Sequence, residues 1–496
     1  MLPPGVNIMF SPLKGKGIIM KAKWLPLAAG IALAAGSLAA SVTASAVDFH
    51  GYFRAGAQAS MRGGDVYCGG NGKRGHKVGR LGDECDTYAE LSFSQDVYNK
   101  ANNKFSVHTL VMYGTKEDDN QIDRQGGSFQ NIGMGEGDAF GSNRFNDGIN
   151  HNSGQRNSIR ELFVKYDTDN YTIWGGKRYY NRSDIHIMDF YYLNDEGYGA
   201  GIENIDTGLG NLDFAVIKGQ NDGQDTTFGS TDLGKNWRHV YKLDFKWRQI
   251  PVGFGTLDAN LIYGLPWVSK YQKKQDNTRL SNADSGVLAT LDHTFGINTD
   301  SLNLTNHFVI QWGTNGFGYV GQIDNANHAG EYYDPRTANT DGVRLTDHGV
   351  MDIGNFGVGY ALMWAHYDTN THNMENTWVY PRSGWEYAIV LRPEYKWTEF
   401  TRTTLELGYS QMKTVNTSVN PRAWDKFEAK DPDLYKVTLA QQFTPGKGFW
   451  ARPAIRFYAS YQGGDQFGGK FDHAGDRKLN HHNYQFSLGS QVEAWW

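Results

Sequence analysis

The clearest period in the chain lies at Tyr484–Trp496. One parity reads Tyr484, Phe486, Leu488, Ser490, Val492, Ala494 and Trp496; the other reads Gln485, Ser487, Gly489, Gln491, Glu493 and Trp495. Alternation of this kind marks a strand with one apolar and one polar face. Its length suits a tilted transmembrane strand of ~9–11 residues better than a soluble strand of ~5–6. Strand-like runs recur at Leu212–Lys218, His239–Trp247, Gly357–His366, Tyr387–Trp397, Thr404–Gln411 and Lys436–Phe443. Gly/Asn/Asp-rich polar stretches separate them, the longest near 61–80, 114–158, 219–236, 268–285, 313–342, 366–377, 411–430 and 462–482. No linker or Pro-rich hinge interrupts the series past residue 47. At roughly 25 residues per strand and half its turns, residues 47–496 predict about 18 strands, an even number as bacterial barrels require. The expected fold is all-β: an antiparallel transmembrane barrel, wide enough for an aqueous lumen, with long loops at one end.

Parity then assigns side chains to faces. In the first strand Phe49, Gly51, Phe53 and Ala55 face lipid, which turns His50, Tyr52 and Arg54 inward. In Thr87–Phe93 the outward set is Thr87, Ala89, Leu91 and Phe93, leaving Asp86, Tyr88, Glu90 and Ser92 inside. In Trp450–Tyr461 Pro453, Ile455, Phe457 and Ala459 face out, and Trp450, Arg452, Arg456 and Tyr458 face in. The last strand puts Trp495 inside with Glu493 and Gln491, while Trp496 fits an aromatic girdle at the membrane interface. Tyr52, Tyr88, Trp450 and Trp495 thus share the lumen with charged and amide groups. Flat rings beside hydrogen-bonding groups suit a sugar, whose C–H face packs on the ring while its hydroxyls reach Arg, Asp and Glu. A series of weak sites of this kind permits entry, binding and exit.

Composition agrees. The 496-residue chain carries 60 Gly, 14% aromatic residues and only 13 Pro, unlike a helical or a disordered protein. Lys+Arg 48 against Asp+Glu 53 gives a net charge of −5, without the basic excess of a nucleic-acid binder. Lys21 and Lys23 precede an apolar run from Trp24 to about Ala40, and Ala44-Ser45-Ala46 ends it. That reads as a secretory signal peptide over 1–46, with 1–19 upstream of the natural start at Met20. Cys68 and Cys85, an even count in an exported chain, favour a structural disulfide over a metal site.

Several blocks resemble the maltoporin family. They are Val47-Asp48-Phe49-His50-Gly51-Tyr52-x-Arg54, Arg80-Leu81-Gly82-x-Glu84-Cys85-x-Thr87-Tyr88-Ala89-Glu90 and Asp184-x-His186-x-x-Asp189-Phe190-Tyr191-Tyr192. The likeness continues through Trp174-x-Gly176-Lys177-Arg178, Gly199-Ala200-Gly201-x-Glu203-Asn204-Ile205-Asp206, Asp347-His348-Gly349 and Tyr395-Lys396-Trp397-Thr398. It ends in Thr438-Leu439-Ala440-Gln441-Gln442, Arg452-Pro453-Ala454-Ile455-Arg456 and Trp495-Trp496. The resemblance implies an 18-stranded homotrimeric outer-membrane barrel with an inward-folded third loop. It implies facilitated diffusion of maltose and maltodextrins, no cofactor, and a periplasmic sugar-binding protein as a further partner.

The family's aromatic slide falls on Tyr52, Tyr88, Trp450 and Trp495, the rings that parity turns inward. Its polar track and constriction fall on Arg54, Arg80, Glu90, Arg182, Asp184, Asp189 and Tyr191, and its first-loop disulfide on Cys68 and Cys85. Arg160, in Ile159-Arg160-Glu161 where the alternation is ambiguous, matches another track arginine. Two departures are expected to weaken long-chain capture. Ala289, in Gly286-Val287-Leu288-Ala289-Thr290, takes the place of a slide phenylalanine, and residues 114–158 hold no tryptophan to lend to a neighbouring subunit. Arg182 and Tyr191 keep the maltoporin pattern where related sucrose porins differ.

Two other readings compete. One is a related sugar porin with shifted specificity, for sucrose or another oligosaccharide. The other is an exported glycan-binding or glycan-degrading β protein, with Asp184/Asp189 as a carboxylate pair. Nothing raises that pair above its neighbours, and no enzyme is expected. The acidic stretches Glu117–Gln121 and Gly219–Asp232 lack a calcium-loop pattern, and His50 and His481-His482 lack partners for a metal.

Overall fold

The computed structural model describes residues 47–61, 63, 77–84, 87–115, 156–218, 239–267, 285–323, 340–369, 383–415, 433–465 and 484–496. Eighteen strands form one closed antiparallel sheet. The first nine are β1 (Asp48–Ser60), β2 (Thr87–Lys100), β3 (Asn103–Thr115), β4 (Arg156–Asp167), β5 (Thr172–Ile185), β6 (Phe190–Asp206), β7 (Asn211–Lys218), β8 (His239–Val252) and β9 (Gly255–Trp267). The others are β10 (Gly286–Asn298), β11 (Leu302–Thr314), β12 (Thr340–Ile353), β13 (Phe356–Thr369), β14 (Ser383–Lys396), β15 (Thr401–Val415), β16 (Asp433–Phe443), β17 (Ala454–Gly463) and β18 (Tyr484–Trp495). Each strand pairs with its neighbours in sequence, and β1 pairs with both β2 and β18, so no edge is left open.

Polarity is inverted relative to a soluble protein. In β16 Lys436 and Thr438 are 1% and 0% exposed, while Val437 and Leu439 are 45% and 53% exposed. Apolar side chains on the outside and charges inside are what lipid around an aqueous lumen demands. No helix among the described residues is long and apolar enough to cross a membrane; the strands cross it. Trp496 packs on Phe49 (5.5 Å) and Phe53 (6.2 Å) on the outer face, as a girdle residue does. Connections at that end are short. Ala101 and Asn102, both at positive φ, join β2 to β3, the geometry of a two-residue hairpin turn.

The strands outrun their apolar cores. Residues 366–369 and 411–415, polar and expected in loops, continue β13 and β15. The alternation in β4 breaks for a physical reason. Leu110 pairs with Glu161 and Val111 with Ile159, which leaves Arg160 as a bulge.

Three described segments pack into the lumen, one of them residues 315–323, whose Phe317, Val320 and Ile323 join the apolar cluster described below. Residues 77–84, expected up to residue 80 to be polar loop, lie against the inner wall of β14–β18. Lys436 Nζ reaches Asp83 (2.9 Å) and the Leu81 carbonyl (3.1 Å), Lys77 pairs with Glu386, and Gly82 N–H donates to Gln491 (2.9 Å). Room for this backbone comes from missing side chains. A Cβ on Gly408 would lie 2.0 Å from the Val78 carbonyl oxygen, and one on Gly56 2.0 Å from that of Glu84. Gly408→Val is therefore expected to expel the segment and raise single-channel conductance, and an unchanged conductance in a folded channel would sink this account.

The remaining segment is the β5–β6 hairpin, turned by a single 3-10 turn at His186–Met188. It is the inward third loop that the resemblance implies. Ile185, Ile187, Met188 and Phe190 bury themselves in one apolar cluster with Leu288, Val309, Ala361 and Val390 of the opposite wall.

Candidate functional site

The rings that parity turns inward form two pairs, which the β1–β18 ladder sets side by side. Tyr52 stands opposite Trp495 in the β1–β18 ladder. The Tyr52 and Tyr88 centroids are 6.1 Å apart, and those of Trp495 and Trp450 6.5 Å. Trp450 gets there by another route than expected. β17 begins only at Ala454, so Trp450 sits on the turn between β16 and β17, 43% exposed, with its ring edge-on to His186 at 5.1 Å. Arg452 stacks over Trp495 at 4.2 Å.

Charged groups line the rings. Arg54 donates to Asp189 (2.8 Å), pairs with Glu84 (3.2 Å) and lies over the Tyr88 ring at 5.2 Å. Arg80 donates to Glu84 through Nε (2.6 Å) and to the Tyr52 hydroxyl (2.7 Å). Tyr88 donates to Glu90, which Arg182 approaches at 3.8 Å. Arg182 is held between the rings of Tyr179 (4.4 Å) and Tyr191 (4.2 Å) and bonds the Tyr191 hydroxyl. Asp184, opposite Tyr191 in the hairpin, is exposed to the lumen. The bulge turns Arg160 inward, 7% exposed and bonded to the Tyr179 hydroxyl. All twelve aromatic and polar positions expected from sequence lie in this region, linked by these contacts or by one strand register.

Two expectations fare differently. In β10 the inward parity is Leu288, Thr290 and Asp292, whereas Ala289 faces out opposite the lipid-exposed Trp312. A slide ring could not have projected into the lumen from that position, so Ala289 does not register its loss. Cys68 and Cys85, with most of 114–158, lie outside the described residues.

Sequence reasoning passed over the groups that fix the hairpin. Glu493, 1% exposed, is the hub. Its carboxylate accepts from Arg452 (2.8 Å), Arg456 (3.1 Å) and the Tyr52 hydroxyl (3.2 Å), and it lies 3.2 Å from Arg80 and 3.0 Å from His186 Nε2. Burial holds the His186 imidazole down to about 4 despite the attraction of Glu493, so this tip residue is neutral at neutral pH. Arg344, fully buried, donates to Gln311 Oε1 (3.0 Å) and to the Tyr192 carbonyl (2.9 Å), and Arg392 to the Ile187 carbonyl (3.2 Å). The signal was present only as inward parity, which Glu493 and Arg344 share with many polar neighbours.

The family profile described as LamB porin matches residues 47–496. The chain belongs to the LamB porin family. With the inverted polarity of the closed barrel, this makes it an outer-membrane channel. Solved structures similar to this LamB porin include Acinetobacter baumannii OccAB2, at a TM-score of 0.45 and 11% identity over 91% of this chain and 98% of that one. The outer membrane protein opdK from Pseudomonas aeruginosa gives a TM-score of 0.45 at 10% identity, over 91% of this chain and 99% of that one.

Proposed function

We propose that the channel passes maltose and maltodextrins by facilitated diffusion, with Trp450, Trp495, Tyr52 and Tyr88 as an aromatic slide and the surrounding charges as a polar track. The observation that carries this reading is the placing of the two ring pairs side by side, next to Arg54, Arg80 and Glu90. A ring covering ~40 Å² of sugar contributes about 1 kcal/mol at ~25 cal/mol/Å², and a well-formed charge-assisted hydrogen bond ~1.5–3 kcal/mol. Arg182, fixed between two tyrosine rings, sets the constriction with Tyr191 and Asp189. Around this we place the remaining parts of the reading: residues 1–46 are a removed signal peptide, Cys68 and Cys85 pair, the channel is a homotrimer, and a periplasmic sugar-binding protein takes up what emerges.

The test is single-channel conductance in a planar bilayer, titrated with maltose, maltotriose, maltohexaose and sucrose. Block that strengthens with glucan length is expected. Better block by sucrose would assign the related sugar porin instead, a reading that the lack of tryptophan in 114–158 favours by weakening glucan capture. Indifference to all four sugars would overturn a sugar channel.

A further inference from the structure

The lipid-facing side of β11–β13 carries a polar island. Asn306 shares its parity with Phe308, Ile310 and Trp312, Asp347 with Leu345 and Ile353, and Tyr360 with Leu362 and Trp364, all exposed on the outer wall. The alternate residues turn the other way. His307 lies 3.1 Å from Asp292, and the His348 ring is 5.5 Å from that of Tyr192 in the inward hairpin.

The three polar side chains form one network. Asn306 stands opposite Gly349, and Gly349 opposite Tyr360, in the β11–β12–β13 ladder. A Cβ on Gly349 would come within 2.9 Å of the Tyr360 hydroxyl, so the absent side chain lets Tyr360 reach across the middle strand. The Asn306 amide donates to the Tyr360 oxygen (2.6 Å) and to Asp347 Oδ1, which uses both its hydrogens. Two valences remain. Among the described residues Asp347 Oδ2 has no donor and the Tyr360 hydroxyl hydrogen has no acceptor, and neither residue is buried. No lysine or arginine among them pairs with the carboxylate.

What completes the network must come from the bilayer. Asp347 sits midway along the 14 residues of β12, with Val343 and Leu345 to one side and Met351 and Ile353 to the other on the same face. Water is absent from that zone, and a headgroup ammonium stays at the interface. A second copy meeting the same face would set carboxylate against carboxylate, a costly like-charge contact. An ester carbonyl only accepts, so it would answer Tyr360 and leave Asp347. A hydroxyl part-way along an acyl chain does both. It gives its hydrogen to Asp347 Oδ2 and takes that of Tyr360, while the chain on either side packs on Phe308, Leu345 and Leu362.

We propose that this island is a binding site for a membrane lipid with a hydroxylated acyl chain, held on the outer wall of β11–β13. The site is independent of what the lumen passes. It accounts for a carboxylate in a wall where charge is otherwise a burden.

The test reconstitutes the full-length channel with dioleoyl phosphatidylcholine and its diricinoleoyl analogue, whose chains differ only by a mid-chain hydroxyl. Native mass spectrometry then counts the lipids retained. Enrichment of the hydroxylated lipid by roughly tenfold is expected, the value of one charge-assisted hydrogen bond. Asp347→Leu should abolish the enrichment and, by removing a lipid-facing charge, raise the melting temperature in pure dioleoyl bilayers. Tyr360→Phe, which keeps the carboxylate, should reduce it roughly threefold. Should the leucine variant fail to fold, Asp347→Asn serves the same comparison, with a loss of roughly threefold or more. Equal retention of the two lipids by the parent, or enrichment that survives these substitutions, would overturn the proposal. A photo-crosslinker at Leu362 that joins two copies through β11–β13 would assign the face to a second copy, and the lipid site would fall.

Discussion

A Glu493→Ala channel is expected to conduct more current than the parent, with open-state noise that the parent lacks. Four cationic or imidazole groups converge on that carboxylate, from residues 77–84 (Arg80), the hairpin tip (His186), the β16–β17 turn (Arg452) and β17 (Arg456). Removing it leaves buried guanidinium groups without their counter-charge, a change that costs on the order of 3–5 kcal/mol for a single broken pair. The barrel should survive, because strand pairing does not run through Glu493 alone and because Arg344 and Arg392 still hold the hairpin through Tyr192 and Ile187. The His186 side chain and the β16–β17 turn, which lose their shared anchor, should move more freely and let the current fluctuate. Glu493→Gln, which keeps one acceptor oxygen, should fall between the two. Conductance and noise together decide the matter: a quiet channel of parental size in the alanine variant would show that the apolar cluster with Arg344 and Arg392 seats the hairpin without Glu493.

The second large effect is expected from removing two rings at once. Tyr88 of β2 and Trp495 of β18 stand on either side of Tyr52 in β1, so their losses should add. At about 1 kcal/mol per ring, Tyr88→Ala combined with Trp495→Ala should weaken maltohexaose block roughly thirtyfold, since 1.4 kcal/mol is a factor of ten. Maltose, which covers fewer rings, should lose less. Titrating both sugars against the double variant checks the claim. An equal loss for the two would mean that the rings merely narrow the lumen, and no loss would place the sugar elsewhere.

The wall of the barrel was legible and its contents were not. Alternation alone placed Tyr52, Tyr88 and Trp495 correctly, because a lipid face on one side and water on the other force a period of two. The same rule became ambiguous at Arg160, where a bulge inserts one residue, and it carried Trp450 into a strand that begins four residues later. Ala289 was misread for the opposite reason: the likeness supplied a position without supplying its face. The inward course of 77–84 depends on Lys436 and Glu386, more than 300 positions away, and the pinning of the hairpin on Arg344 and Glu493. No local period records contacts of that range.

Two of the inward segments, residues 77–84 and the β5–β6 hairpin, also touch each other. Arg80 N–H donates to the Ile187 carbonyl (3.0 Å), which joins the piece braced on β14–β18 to the piece braced on β10–β14, and Arg54 ties the same hairpin to β1 through Asp189. Mechanically this is a cross-strut. An eighteen-strand tube is wide enough to flatten under lateral pressure from the surrounding lipid, and a strut spanning its bore resists that ovalisation. The residues that narrow the passage are thus the ones that keep the cylinder round. Bore and stiffness are therefore set together in this channel, and a variant that widens one gives up some of the other.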